Sequence, residues 1–176
     1  YDPSAGFVTG GGWLNSPAGA YIPNPSATGK ANFGFISKYE KGKTVPTGNT
    51  EFQFKSGNLN FQSTGYDWMV VSGAKAPYRG VGTVNGVAGY RFTLTAIDGQ
   101  LSGGGGVDKL RLRLWSDAGG LLYDNQVGAP DDANPTTALG GGSIVIHSSG
   151  SALLAAGPRA EAPPAVSTLA PTALAP

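Results

Sequence analysis

The sequence predicts an all-β fold: an antiparallel β-sandwich, jelly-roll-like, of about nine strands, followed by an extended Ala/Pro-rich C-terminal tail. Three observations carry this. The 176 residues include 29 glycines and 13 prolines, the residue types that tight turns consume. Apolar and polar residues alternate with the strand period of two along most of the chain. Turn signals recur at roughly 8- to 12-residue intervals, the spacing of sandwiches and barrels.

The elements follow in order. "GFVTGGGWL" opens the set near the N-terminus. In "KANFGFISKYE", Ala31, Phe33 and Phe35 share one side of the alternation. "NTEFQFKSGNLNFQS" sets Phe52 and Phe54, then Leu59 and Phe61, around Ser56-Gly57-Asn58, a hairpin-type turn. Glu51, Gln53 and Lys55 then face outward. "DWMVVSG" is apolar on both faces and is expected to be a separate, central buried strand. "YRGVGTV" runs into Asn85-Gly86, a strong hairpin signal. "AGYRFTLTAID" turns Tyr90, Phe92, Leu94 and Ala96 one way, with Arg91, Thr93 and Thr95 the other. After Gly103–Gly106, Leu110, Leu112 and Leu114 alternate with Lys109, Arg111, Arg113 and Trp115. "GLLYD" and "SIVIH" complete the strands. No amphipathic helix is evident. Past Ser149 the periodicity stops, so residues 1–148 are read as the domain and 149–176 as a tail of polyproline-II character.

Composition limits function. Charged residues make up 13% of the chain and the net charge is +1, so no long-range field directs it to nucleic acid. Without cysteine there is no disulfide framework and no thiolate metal site. No apolar run approaches the roughly 20 residues of a membrane span. Tyr1-Asp2-Pro3 is not the basic start of a signal peptide, so an exported protein is expected here in its mature form.

The stretches "GFVTGGGWLNSPAGAY", "GKANFGFISKY", "PTGNTEFQFKSGNLNFQSTGYDWMVV", "GGGGVDKLRLRLW", "YDNQ" and "LGGGSIVIH" resemble a bacterial domain of secreted and surface proteins, the post-choice-of-anchor type. The resemblance covers Gly6 to His147 and leaves out the tail. It implies export and a place beside adhesive and immunoglobulin-like modules. It carries no catalytic or binding residues over.

The residues themselves nominate few sites. The single histidine, His147, lies at a strand end with no G-x-S-x-G elbow to accompany it. The three glutamates suggest no pair flanking a cleft. Gly103–Gly106 leads into a strand rather than a helix, so it is not a phosphate cradle. It is expected to be a flexible crossing between strands. Oxygen ligands for calcium gather between Asp98 and Asn134, and Asp98, Asp108, Asp131, Asp132 and Asn134 are the best candidates. The plainer reading is turn chemistry, since Asp and Asn side chains bond local backbone, and no EF-hand loop is present. Arg111, Arg113 and Trp115, with Lys109, form an outward ridge suited to binding an anionic glycan or stacking a sugar, with Trp13, Trp68, Tyr21, Tyr66 and Tyr78 as additions to an aromatic platform. The plainer reading is that basic side chains guard a sheet face and that aromatics fill the core.

The expected function is therefore that of a non-catalytic, extracellular or cell-surface structural protein. It would self-assemble into homo-oligomers or filaments by laying an extended terminus on a neighbour, since a polyproline-II segment is already extended and a sandwich leaves open edges. The alternative is a carbohydrate-binding or adhesive module, calcium-assisted or not, whose partner is extracellular polysaccharide. A polysaccharide-active enzyme ranks third.

Overall fold

A computed structural model describes residues 6–147. The tail and the first five residues, where a terminus donated to a neighbour would lie, fall outside the described residues. Within them the chain is all-β, with nine antiparallel strands in one sheet. These are β1 (Phe7–Ser16), β2 (Gly29–Lys38), β3 (Thr47–Phe54), β4 (Leu59–Met69), β5 (Lys75–Val84), β6 (Val87–Ile97), β7 (Lys109–Ser116), β8 (Leu121–Asp124) and β9 (Gly141–His147). Each strand from β1 to β7 pairs with the next, as in a meander, and β9 returns to pair with β1. No helix among the described residues is long and apolar enough to cross a membrane.

The alternation explains which face goes inside. Ala31, Phe33 and Phe35 of β2, Phe52 and Phe54 of β3, Phe92, Leu94 and Ala96 of β6, and Leu110, Leu112 and Leu114 of β7 are all buried in one core. Full burial of each large apolar side chain stabilises by about 1.5–3 kcal/mol. The sheet bends over this core so that its halves face each other. Phe52 and Phe54 of β3 meet Tyr123 of β8, with ring centroids 4.9 and 6.1 Å apart. Phe35 of β2 meets Tyr78 of β5 at 6.0 Å. Buried hydroxyls find partners: Thr50 Oγ1 bonds the phenol oxygens of Tyr66 at 2.7 Å and Tyr78 at 2.6 Å, and Ser16 Oγ lies 2.9 Å from Tyr123 Oη.

Both predicted tight turns are present. Lys55–Gly57 makes one 3-10 turn, closed by Asn58 with φ of 52°. Asn85 and Gly86 have φ of 50° and 82°, the paired positive values of a type I′ hairpin. "DWMVVSG" is not a strand of its own. Its first three residues end β4, which runs unbroken from Leu59 to Met69, and the rest leads on toward β5. Two register shifts, between Ser63 and Gly65 and between Tyr66 and Trp68, let it bend. Asp67 is exposed and Val70 is 42% exposed, so the segment is not buried on both faces.

The sheet's outer edges are occupied by the chain itself. Against β8, the Ile22 N–H donates to Leu122 O at 2.9 Å and the Asp124 N–H to Ala20 O at 3.0 Å. At β9, the outward N–H groups of Ile144 and Ile146 donate to carboxylates, Asp108 Oδ2 at 2.8 Å and Asp98 Oδ2 at 3.0 Å. Asp98 directly follows β6 and Asp108 directly precedes β7, so they close the seam where the bent sheet meets itself.

Candidate functional site

The residues singled out from sequence separate into a seam and a groove. Asp98 and Asp108 belong to the seam and are buried. Besides the two β9 contacts, Asp98 Oδ1 accepts from the Gln100 N–H at 3.1 Å and Asp108 Oδ1 from the Gly99 N–H at 2.8 Å. Four carboxylate oxygens thus accept four backbone N–H groups. This is the bonding the plainer turn reading anticipated, carried across the seam. Among the described residues no three His, Cys, Asp or Glu side chains converge as metal ligands would. Asp131 pairs with Arg113 Nη1 at 3.1 Å, and Asn134 Oδ1 accepts from Lys75 Nζ at 2.7 Å.

The glycine run that joins the seam aspartates differs from the flexible crossing expected of it. The loop is internally bonded, with the Leu101 N–H to Asp98 O, the Gly104 N–H to Leu101 O and the Gly106 N–H to Gly99 O. Gly103, Gly105 and Gly106 have φ of 88°, 82° and 86°, a region that side chains resist. At Gly104 a Cβ would lie 2.1 Å from Asp98 O. The glycines allow a compact turn that delivers both carboxylates to β9.

Arg111 does not join the exposed ridge. It has the outward parity of Lys109, Arg113 and Trp115, yet is only 2% exposed. The cause is the connection after β8, which folds back over the outer face of β7. Arg111 donates to both oxygens of Asp124, Nε at 3.1 Å and Nη2 at 2.8 Å, and to the carbonyls of Gln126, Ala129 and Pro130. "YDNQ" organises this cover residue by residue. Tyr123 enters the core. Asp124 holds Arg111 and, at 3.3 Å, Arg113. Asn125 acts as a peptide substitute along β7, accepting from the Leu112 N–H at 2.8 Å and donating to Leu110 O at 2.9 Å. Gln126 clamps the loop through Asn134 O and the Thr136 N–H. The sequence reading used these residues only for the family resemblance, the strand "GLLYD" and, for Asp124, the pool of calcium oxygens, and gave them no part in a cover. Four polar-ended side chains straddling the end of a short strand were the available signal.

Beside this cover lies a groove of about 550 Å³ on the outer face of β4 to β8. It is lined by Trp68, Lys75, Pro77, Arg79, Thr93, Thr95, Arg113, Trp115, Gly119, Leu121, Asp131 and Asp132. Strand register builds it. Trp68 pairs with Arg79, Arg79 with Thr93, Thr93 with Arg113 and Arg113 with Asp124, making one row across five strands. At about 4.8 Å between strands, that row spans roughly 19 Å. Trp115 lies on the neighbouring row, with the Arg79 guanidinium 5.0 Å and the Arg113 guanidinium 5.7 Å from its ring centroid.

Of the expected aromatic platform, Trp68 and Trp115 line this groove. Tyr66 and Tyr78 are core residues, 8% and 0% exposed. Tyr21 packs edge-on against Phe54 at 6.4 Å, and Trp13 lies under the Lys30 ammonium at 4.4 Å. Burial raises the Tyr66 and Tyr78 hydroxyls above the ordinary phenol value of 10.0. His147 stacks on Phe7 with centroids 4.4 Å apart.

A second trough, of about 570 Å³, crosses the outer face of β1 to β3, where Asn32, Asn49 and Gln53 surround Glu51, the one charged side chain in its lining. Its lining also includes Phe33 and Phe35, both core residues. No family model matches the chain, and neither the curated proteins nor the solved structures compared with it yield a match.

Proposed function

We propose that the chain is a non-catalytic carbohydrate-binding module whose ligand lies in the groove across β4 to β8. The observation that carries this is the row Trp68–Arg79–Thr93–Arg113 with Trp115 beside it. Indole rings offer an apolar surface with a polar edge. Guanidinium and hydroxyl groups alternate along the row and bond hydroxyl-rich ligands. The groove's volume lies within the usual range for ligand sites, about 300–1,000 Å³. The two groove carboxylates, Asp131 and Asp132, are sequence neighbours on one loop and do not flank a cleft as glycoside hydrolysis requires. This supports binding over catalysis. An extracellular or cell-surface setting is proposed on the sequence resemblance. Calcium is not needed for the reading, because Asp98 and Asp108 already accept backbone N–H groups.

Self-assembly through an extended terminus is the other reading. Its donor segments lie outside the described residues. The open edges that motivated it are taken by Ala20–Ile22 and by the seam carboxylates. Truncation at Ser149 followed by light scattering tests it, since it predicts large assemblies that become monomers.

Affinity electrophoresis through gels cast with neutral and acidic polysaccharides tests the binding reading. At least one polymer should retard the protein, and Trp68→Ala and Trp115→Ala should abolish the effect. No retardation by any polymer, or retardation indifferent to both substitutions, would overturn it.

A further inference from the structure

The cations of the groove are not equivalent, and the difference points to a ligand class. Arg113 is engaged on two sides, by Asp124 at 3.3 Å and Asp131 at 3.1 Å. Lys75 donates to Asn134 Oδ1 at 2.7 Å. Arg79 has neither kind of contact among the described residues, and its guanidinium lies over the Trp115 ring, 5.0 Å from the centroid. A guanidinium held over an indole face is positioned by the ring while its N–H donors stay open to a ligand. That planar fork matches two oxygens of a carboxylate or sulfate. Holding it in place before binding lowers the ordering entropy of forming the contact.

Charge in the groove supports the same end. Arg111, Arg113, Asp124 and Asp131 form a neutral set of two guanidiniums and two carboxylates. Lys75 and Arg79 then stand against Asp132, leaving one net positive charge in the lining. Arg79 sits on β5, two strands away from β7, where Asp131 is held. An anionic group therefore fits at the Arg79 end and not at the loop. Thr93, between Arg79 and Arg113 in the row, supplies a hydroxyl next to it.

We propose that the groove selects acidic saccharides, with Arg79 making a bidentate contact to a carboxylate or sulfate on the ligand. This rests on the carbohydrate-binding reading and adds the ligand's chemical class to it. The test uses the full chain at fixed salt with three soluble probes: polygalacturonate for carboxylates, dextran sulfate for sulfates and dextran as the neutral polymer. One or both acidic polymers should retard the protein and dextran should not, and the ranking of the acidic two identifies the anion.

Arg79→Gln should weaken retention about tenfold, as expected for loss of a charge-assisted hydrogen bond. Arg79→Lys, which keeps the charge but not the fork, should fall between Arg79→Gln and the parent and guards against a folding artefact. Lys38→Gln, exposed at the far end of β2, should change nothing. Retention on dextran equal to that on the acidic polymers and abolished by Trp68→Ala would overturn acidic selectivity while leaving carbohydrate binding intact. Acidic retention within twofold of the parent in Arg79→Gln would also overturn it, as unspecific polyanion attraction. Retention on none of the three would remove both readings.

Discussion

The seam and the groove use the same residue types to opposite ends. At the seam, Asp98 and Asp108 are buried and every carboxylate oxygen accepts a backbone N–H. In the groove, Asp131 and Asp132 are exposed, and Arg79 rests on an indole with its donors open. Arg111 falls on the seam's side of this divide although it belongs to the same strand as Arg113. What separates the two regions is whether the backbone comes to the polar group. Where a loop or edge strand brings N–H or C=O groups, the side chain is consumed in holding the fold. Where strands alone provide the floor, it stays available.

That division makes graded predictions. The largest loss of stability belongs to Arg111. Arg111→Met leaves Asp124 buried without its main partner and should cost about 3–5 kcal/mol, read as a lowered urea midpoint.

Alkaline pH should act next. Burial raises the hydroxyls of Tyr66, Tyr78 and Tyr123 above 10.0. The folded state therefore holds these protons more tightly than the unfolded chain does. Stability is fully present below the unfolded value near pH 10 and is lost as pH rises beyond it. Melting temperatures at pH 8 and pH 11 should differ accordingly, and an unchanged value at pH 11 would contradict the burial.

Removing a seam carboxylate comes third. Asp98→Ala strands the buried N–H of Ile146 and Asp108→Ala that of Ile144, each at about 1–3 kcal/mol. Amide exchange at those two positions should accelerate specifically. Gly104→Ala should cost a similar or smaller amount, because its Cβ would meet Asp98 O and the loop must shift. Groove variants stand at the other extreme. Arg79→Gln and Trp68→Ala should leave stability within about 0.5–1 kcal/mol of the parent while binding falls. A groove variant that unfolds the protein, or a seam variant that only weakens binding, would erase the distinction.

The inner face was legible in the sequence because burial imposes a strict period of two. Phe33, Phe35, Phe52, Phe54, Phe92 and the leucines of β7 all lie where alternation puts them. The two turns were legible because Asn58, Asn85 and Gly86 answer a local demand for positive φ.

The groove was only partly legible, because bulges assemble it. Counting back from the Asn85–Gly86 turn, where Val84 faces Val87, puts Arg79 opposite Phe92. The shift between Gly82 and Val84 moves it opposite Thr93. Two more shifts in β4 set Trp68 beside Arg79. A bulge changes the register of everything beyond it, and these carry no local signature strong enough to read. Arg113 and Trp115 were found because β7 is regular, whereas Trp68 was a single name among several aromatics and Arg79 was not singled out. The burial of Arg111 was illegible for a different reason: its cover comes from residues 126–130, whose path depends on Asn125 standing in for a peptide group.

The central claim is that the open outer face of β4 to β8, and not the rest of the surface, receives the ligand. A ¹⁵N-labelled sample titrated with an oligogalacturonate tests it most directly. The account predicts shifts confined to the Trp68 and Trp115 indole N–H groups and to the amides around Arg79, Thr93 and Arg113, with the seam residues Ile144 and Ile146 unmoved. Shifts clustered instead on the outer face of β1 to β3, around Asn32, Asn49 and Gln53, or a titration that moves no groove resonance, would contradict it.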